Sequence, residues 1–201
     1  MQTRNKAGNK FDQGPSQVRI IGGQWRSRKL SFPVLDGLRP TPDRVRETLF
    51  NWLQSTIPGA RCLDLFSGSG ALGFEALSRG ADHCTFIDIA PASCQALRDN
   101  LKKLECDSAE VLQRDAMQWL RQLPDAVEGT NTLQFDVIFI DPPFNKDLCE
   151  QICQLMVEKK IISERGFIYI ETERRAPRVN HWPLHREKTS GQVQYRLYQQ
   201  D

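Results

Sequence analysis

With 201 residues, 39% of them hydrophobic and 26% charged, the chain is long enough for one domain with a buried core, and its composition excludes fibrous and wholly disordered classes. A net charge of +2 at pH 7 gives no reason by itself to expect a polyanionic partner. No apolar run reaches the ~18 residues of a membrane span and the first twenty residues hold no apolar signal core, so no membrane attachment is expected and a cytoplasmic address follows.

The small net charge hides a division. Residues 1–49 carry +6, residues 50–173 carry −8 and residues 174–201 carry +4. Basic flanks around an acidic middle either face phosphates or are ordinary solvated surface. The six cysteines, Cys62, Cys84, Cys94, Cys106, Cys149 and Cys153, contain no CxxC pair; only Cys149 and Cys153 sit i,i+4 on an expected helix, and His83, His181 and His185 are far from that pair in sequence. Reduced thiols and no metal site are expected.

Residues 1–16 are polar, include Gly8, Gly14 and Pro15, and lack periodicity, so they read as a disordered basic arm. The run RIIGGQWRSRKLSFP follows, two strand-like stretches about Gly22-Gly23. In RPTPDRVRETLFNWL, Thr41 reads as an N-cap, Pro42 as the first helical residue, and Val45, Leu49, Trp52 and Leu53 as one apolar face. Residues 17–56 thus form a hairpin-plus-helix appendage to a main domain at residues 57–201.

From Arg61 the pattern alternates. CLDLF (62–66) precedes a helix ending near Arg79, HCTFIDI (83–89) a helix over 92–104, AEVLQ (109–113) a helix over 117–123, and FDVIFID (135–141) a helix over 148–159, before GFIYIE (166–171). Apolar strands separated by helices predict right-handed βαβ units and a mostly parallel sheet covered on both faces, an α/β Rossmann-like fold. WPLHREKTSGQVQYRLY closes the chain as an antiparallel hairpin about Ser190-Gly191.

Phe66-Ser67-Gly68-Ser69-Gly70-Ala71-Leu72-Gly73 follows a strand and opens a helix, the context in which GxGxxG carries meaning. Glycines there let backbone approach a ligand, although a turn or tight helix packing needs them equally. A dinucleotide dehydrogenase would use the same loop with Asp88 on a ribose. However, Asp64 precedes the loop and Asp115 follows the third strand, so acids end strands one, two and three of the main domain. That wall suits an adenosine bearing a positive sulfonium, with Asp88 at the ribose, Asp115 at the adenine amine and Asp64 near the amino-acid end. Each acid singly also suits a helix N-terminus.

FDVIFIDPPFN ends the next strand in Asp141-Pro142-Pro143-Phe144. A rigid turn is its plain reading. The chemical one begins from the exocyclic amine of a nucleobase, whose lone pair is delocalised into the ring. An enzyme must hold the amine by its hydrogens and aim the lone pair at a methyl group. The Asp141 carboxylate and Pro142 carbonyl are two acceptors on a stiff turn without a competing N–H. Phe144 can stack on the base, a contact worth about 1–3 kcal/mol. Orientation and desolvation then carry catalysis, with Asp141 able to accept a proton.

LDLFSGSGALGFEALSRGA, FIDIA, RDA and DPPF together resemble the successive motifs of class I S-adenosylmethionine-dependent amino-methyltransferases. With RIIGGQWRSRKLSFP, RPTPDRVRETLFNWL and GQVQYRLY, the chain after its arm resembles the bacterial small-subunit ribosomal RNA guanine-N2 methyltransferases of the RsmD type. The resemblance implies a seven-stranded sheet with a reversed last strand, and methylation of one guanine, 966 in the usual 16S numbering, in the small subunit or an assembly intermediate. It implies that Arg39, Thr41 and Arg44 lie over the cofactor and target mouth, although an ordinary helix with exposed arginines fits Arg44 and Arg46 equally. It makes Arg19, Arg26, Arg28 and Lys29 an RNA-phosphate surface. No obligate protein subunit is implied. A DNA adenine-N6 or cytosine-N4 methyltransferase would share the DPPF turn but needs a target-recognition region; an NAD-dependent oxidoreductase would leave DPPF unexplained. A non-catalytic RNA-binding protein on the same fold is the remaining alternative.

Overall fold

The computed structural model describes residues 15–35, 38–125, 133–143 and 146–201. The main sheet contains β3 (Arg61–Asp64), β4 (His83–Asp88), β5 (Ala109–Gln113), β6 (Phe135–Ile140), β7 (Ile162–Glu173), β8 (Leu184–Ser190) and β9 (Val193–Gln199), preceded by a separate hairpin of β1 (Ser16–Arg19) and β2 (Lys29–Phe32). The helices are α1 (Asp43–Trp52), α2 (Ala71–Ser78), α3 (Pro91–Leu104), α4 (Ala116–Gln122) and α5 (Lys146–Lys159). Among the described residues, no helix is long and apolar enough to cross a membrane.

The seven strands lie in the order β5-β4-β3-β6-β7-β9-β8. Contacts from β5 through β7 are parallel, and β9 runs antiparallel to both neighbours, so the last strand is the reversed one. Side chains alternate between two cores, as strand geometry dictates. Cys62, Val137, Phe139 and Tyr169 enter the core shared with β1, β2 and α1–α3, whereas Leu63, Ile138, Ile140 and Ile168 enter the one beneath α4 and α5. The chain turns back after β5 to place β6 beside β3. That reversal opens a crevice outside the carboxyl ends of β3 and β6, where open α/β sheets bind ligands.

Three local readings differ from the sequence expectations. Ser16, expected as the last residue of the arm, already pairs with Phe32 in β1; residues 1–14 lie outside the described ones. Pro42 occupies the α1 N-cap without a side-chain cap bond, while the Thr41 hydroxyl donates to Glu171 instead. Arg46 is 1% exposed, because its guanidinium bonds Glu75, Asp43 and the carbonyls of Thr41 and Arg19. Arg44 remains exposed, as an ordinary surface arginine would.

The hairpin shares its core with the sheet: Val18, Ile20, Trp25, Leu30 and Phe32 are buried with Leu49, Phe74 and Phe139. Its connecting loop is docked on α2. The Ile21 and Gly22 N–H groups donate to the Glu75 carboxylate at 2.8 Å each, and the Gln24 N–H to the Ser78 carbonyl at 2.7 Å. Gly23 has φ +74°, and a Cβ there would stand 1.7 Å from the Ser78 carbonyl oxygen, so this approach requires glycine. At the other end of the chain Ser190 pairs with Val193, making Gly191-Gln192 the two-residue turn. The six cysteines are free thiols.

Candidate active site

Between β3 and α2 the backbone turns through Gly68 (φ +50°) and Gly70 (φ +74°), conformations that only glycine enters without cost. Gly73, in the first turn of α2, lies so close to β4 that an added Cβ would meet the Phe86 ring at 2.3 Å. The buried Asp64 carboxylate accepts the Gly73 N–H at 3.0 Å, which ties the end of β3 to the helix that the loop opens. Phe66 is half-buried against the α4–α5 core.

One strand over, Asp88 braces the same loop. Its Oδ2 accepts the Gly68 N–H and its Oδ1 the Ala90 N–H, both at 2.7 Å. Ile89 beside it is 66% exposed, an apolar face left at the crevice rim. Asp115 at the end of β5 caps α4, accepting the Gln118 N–H at 2.8 Å. Thus β3, β4 and β5 each place an acid at one edge of the sheet, and each acid also anchors backbone.

Across the crevice stand Asp141 and Pro142. Ile140 pairs with Ile170, so Asp141 and Glu171 leave two adjacent parallel strands side by side. Burial pushes the Asp141 carboxyl well above the usual carboxylate range, and Glu171 and Asp64 push it further. Burial also raises Asp64 to about 7, with the Gly73 N–H opposing and Asp88 adding to the rise. Glu171 is raised by burial against the hydrogen bonds from Tyr169 and Thr41. Carboxyls crowded on one face of the sheet and starved of water stabilise a neighbouring cation. Pro142 is buried and Pro143 exposed, and both line a cavity of about 60 Å³ with Glu171, Thr172 and Glu173 at the end of β7. Phe144 lies outside the described residues.

Residues 18–199 match the family described as Conserved hypothetical protein 95. Over 191 residues the chain is 48% identical to Ribosomal RNA small subunit methyltransferase D of Escherichia coli strain K12, covering 94% of this chain and 92% of that relative. The chain belongs to this methyltransferase D family. It is also 47% identical to the solved structure of yhhF from Escherichia coli, with a TM-score of 0.79 over 92% of this chain and 99% of that one. A more distant fold neighbour is the T. thermophilus 16S rRNA N2 G1207 methyltransferase RsmC, solved in complex with AdoMet and guanosine. It is 18% identical with a TM-score of 0.67, over 93% of this chain and 50% of that one.

In this member of the methyltransferase D family the segment before α1 runs across the crevice mouth. Leu38 packs over Gly68, where an added Cβ would stand 2.5 Å from its Cδ1, and Thr41 reaches Glu171 at the end of β7. Arg39 lies between them, exposed. Arg44 is exposed too and donates to the Ser190 hydroxyl at 2.9 Å. Arg26, Arg28 and Lys29 are exposed on the hairpin; Arg19, 57% exposed, pairs with Asp43.

The sequence reading missed Glu171 and Tyr169. Its own rule, an acid where an apolar strand ends at the carboxyl edge, applies to GFIYIE as well as to LDLF and FIDI, and would have found Glu171. Missed too was Glu75, an acid inside the otherwise apolar ALGFEALS.

Proposed function

We propose that this chain transfers the methyl group of S-adenosylmethionine to the exocyclic N2 amine of one guanine of 16S ribosomal RNA, position 966 in the usual numbering, in the small subunit or an assembly intermediate. The observation that carries the reading is the placement of Asp141-Pro142 directly across the switch-point crevice from the glycine loop. The relatives' names, which specify small-subunit ribosomal RNA, support the substrate class.

The residues present fit the donor. Asp88 ends β4 where the ribose hydroxyls of a nucleoside would lie, Asp115 ends β5 on the adenine side, and Ile89 offers the exposed apolar surface. Asp64 and Asp141 make the crevice favourable to a positive sulfonium. When bound, S-adenosylmethionine supplies an electrophilic methyl group.

The chain's own residues do the rest. Asp141 and the Pro142 carbonyl accept the two amine hydrogens and hold the nitrogen lone pair in line. The raised affinity of Asp141 for a proton suits it to take one as positive charge develops on that nitrogen. Pro142, buried, and Pro143 keep competing N–H donors away. The hairpin and helix of residues 17–56 grip RNA through Arg19, Arg26, Arg28 and Lys29, with Arg39 and Arg44 nearer the mouth; residues 57–201 perform the transfer. The reaction takes place in the cytoplasm.

The test is transfer of labelled methyl to small ribosomal subunits, naked small-subunit RNA and duplex DNA in parallel, followed by nucleoside analysis. Label in N2-methylguanosine from a ribosomal substrate is the expected result. Label confined to DNA adenine or cytosine, or no label despite S-adenosylmethionine binding, would overturn the reading.

A further inference from the structure

Asp141 and the Pro142 carbonyl can hold the amine of guanine, adenine or cytosine alike, because all three present two amine hydrogens. Something else beside that turn must tell guanine apart. The difference lies one atom along the base edge: guanine has an N1–H donor next to its amine, whereas adenine and cytosine have a ring nitrogen acceptor there. A guanine-specific site needs a fixed acceptor adjacent to the amine holder.

Glu171 stands there. It follows Ile170 as Asp141 follows Ile140, in register on the neighbouring strand, about 4.8 Å away by the spacing of strands. It is 7% exposed, and with Pro142 and Pro143 it lines a cavity that extends toward Cys149 and Glu150 of α5 and residues 176–179. Its two oxygens are unequal. Oε2 accepts the Tyr169 hydroxyl at 2.9 Å and the Thr41 hydroxyl at 3.3 Å. Oε1 has no hydrogen-bond donor among the described residues, although the carboxylate is held from behind by two hydroxyls. Two donors on one oxygen fix the plane of the group and favour its ionised, accepting form against the burial that opposes it.

We infer that Glu171 is the specificity-determining residue for the target base: its Oε1 accepts N1–H of the guanine whose amine Asp141 holds. Tyr169 and Thr41 are positioning residues that set its plane. This assignment rests on the guanine-N2 reading above. It also gives the pre-α1 segment a task, since Thr41 links the crevice mouth to the base-reading acid.

The experiment exploits Glu171→Gln. The Tyr169 and Thr41 hydroxyls hold the amide oxygen at the Oε2 position, so the amide NH2 takes the place of Oε1 and an acceptor becomes a donor. Substrates are small-subunit RNA carrying at the mapped target either guanine or 2-aminopurine, which keeps the amine but has an acceptor at N1. Wild type should prefer guanine by at least ~10²-fold in kcat/KM, as sites built around a substrate N–H reject analogues lacking it. Glu171→Gln should lower guanine turnover and shrink that preference by at least ~10-fold, with S-adenosylmethionine affinity unchanged by calorimetry. Tyr169→Phe and Thr41→Val should shrink it less, and report on the same geometry if Glu171→Gln folds poorly. An unchanged preference in all three variants, or no preference in wild type, would overturn the role of Glu171 while leaving guanine-N2 methylation intact. Absence of N2-methylguanosine from wild-type reactions would remove both readings together.

Discussion

The guanidinium of Arg46, 1% exposed, donates to the carboxylate of Glu75, 0% exposed, at 3.3 Å. The same carboxylate accepts the Ile21 and Gly22 N–H groups and, at 2.7 Å, Arg79 Nε. One acid inside α2 therefore joins the hairpin loop, α1 and the glycine-loop helix. Four donors satisfy it, which is why it can be charged in an apolar helix.

Removing one member of such a buried cluster strands the others. Glu75→Ala should lower stability by about 3–5 kcal/mol, because Arg46 keeps its charge without its buried partner. Urea unfolding measures this directly. Replacing both, as in Arg46→Met with Glu75→Leu, should cost less than Glu75→Ala alone; equal or greater loss would mean that the backbone bonds to the hairpin loop dominate.

Asp141→Ala should reduce turnover by at least ~10²-fold with little change in S-adenosylmethionine affinity, as expected for loss of an orienting acceptor and base. Single-turnover kinetics and calorimetry on the same preparation separate the two effects. Near wild-type turnover would remove Asp141 from the mechanism.

Asp88→Ala should act in the opposite sense, weakening S-adenosylmethionine binding more than the chemical step. It deletes the carboxylate proposed to hold the ribose and also frees the Gly68 and Ala90 N–H groups that shape the loop. Unchanged calorimetric affinity would contradict the ribose role.

How much of this was legible in the sequence follows from range. Strands such as FDVIFI and the glycine loop are written in neighbouring residues, and their acids fall at the sheet edge because apolar runs end there. Thr41 and Arg46 were not legible. A threonine before Pro-Asp on a helix start reads as a cap, and its diversion to Glu171 depends on a residue 130 positions away. An arginine in DRVRE reads as surface until Glu75 and the Arg19 carbonyl are brought around it. Burial of charge is a property of partners distant in the chain, and local periodicity carries no trace of them.

Charge reversal at Arg26 and Arg28 should weaken RNA binding and reduce the salt slope of log K by about 2, roughly one unit for each phosphate that is no longer neutralised. Both side chains are exposed on the hairpin, so the fold should be unaffected. Filter binding from low to physiological salt gives the slope. An unaltered slope would put the RNA surface elsewhere.

The crowded acids make stability depend on pH in a defined direction. Burial holds Asp64 at about 7 against the usual 3.8, and Asp141 and Glu171 are raised as well. Between these values the folded chain keeps a proton that the unfolded chain releases. The stabilisation is full below the unfolded value and is lost as pH rises through the folded one. Asp43 and Glu187, held low by arginines, act oppositely but only in the acid range. The free protein should therefore lose stability between about pH 4 and 7, by up to about 4 kcal/mol from Asp64 alone. Asp64→Asn should flatten that slope in thermal unfolding. Affinity for the sulfonium should rise across the same interval, since ionised carboxylates favour a cation. A pH-independent melting temperature in the free protein would show that these acids are already ionised and paired.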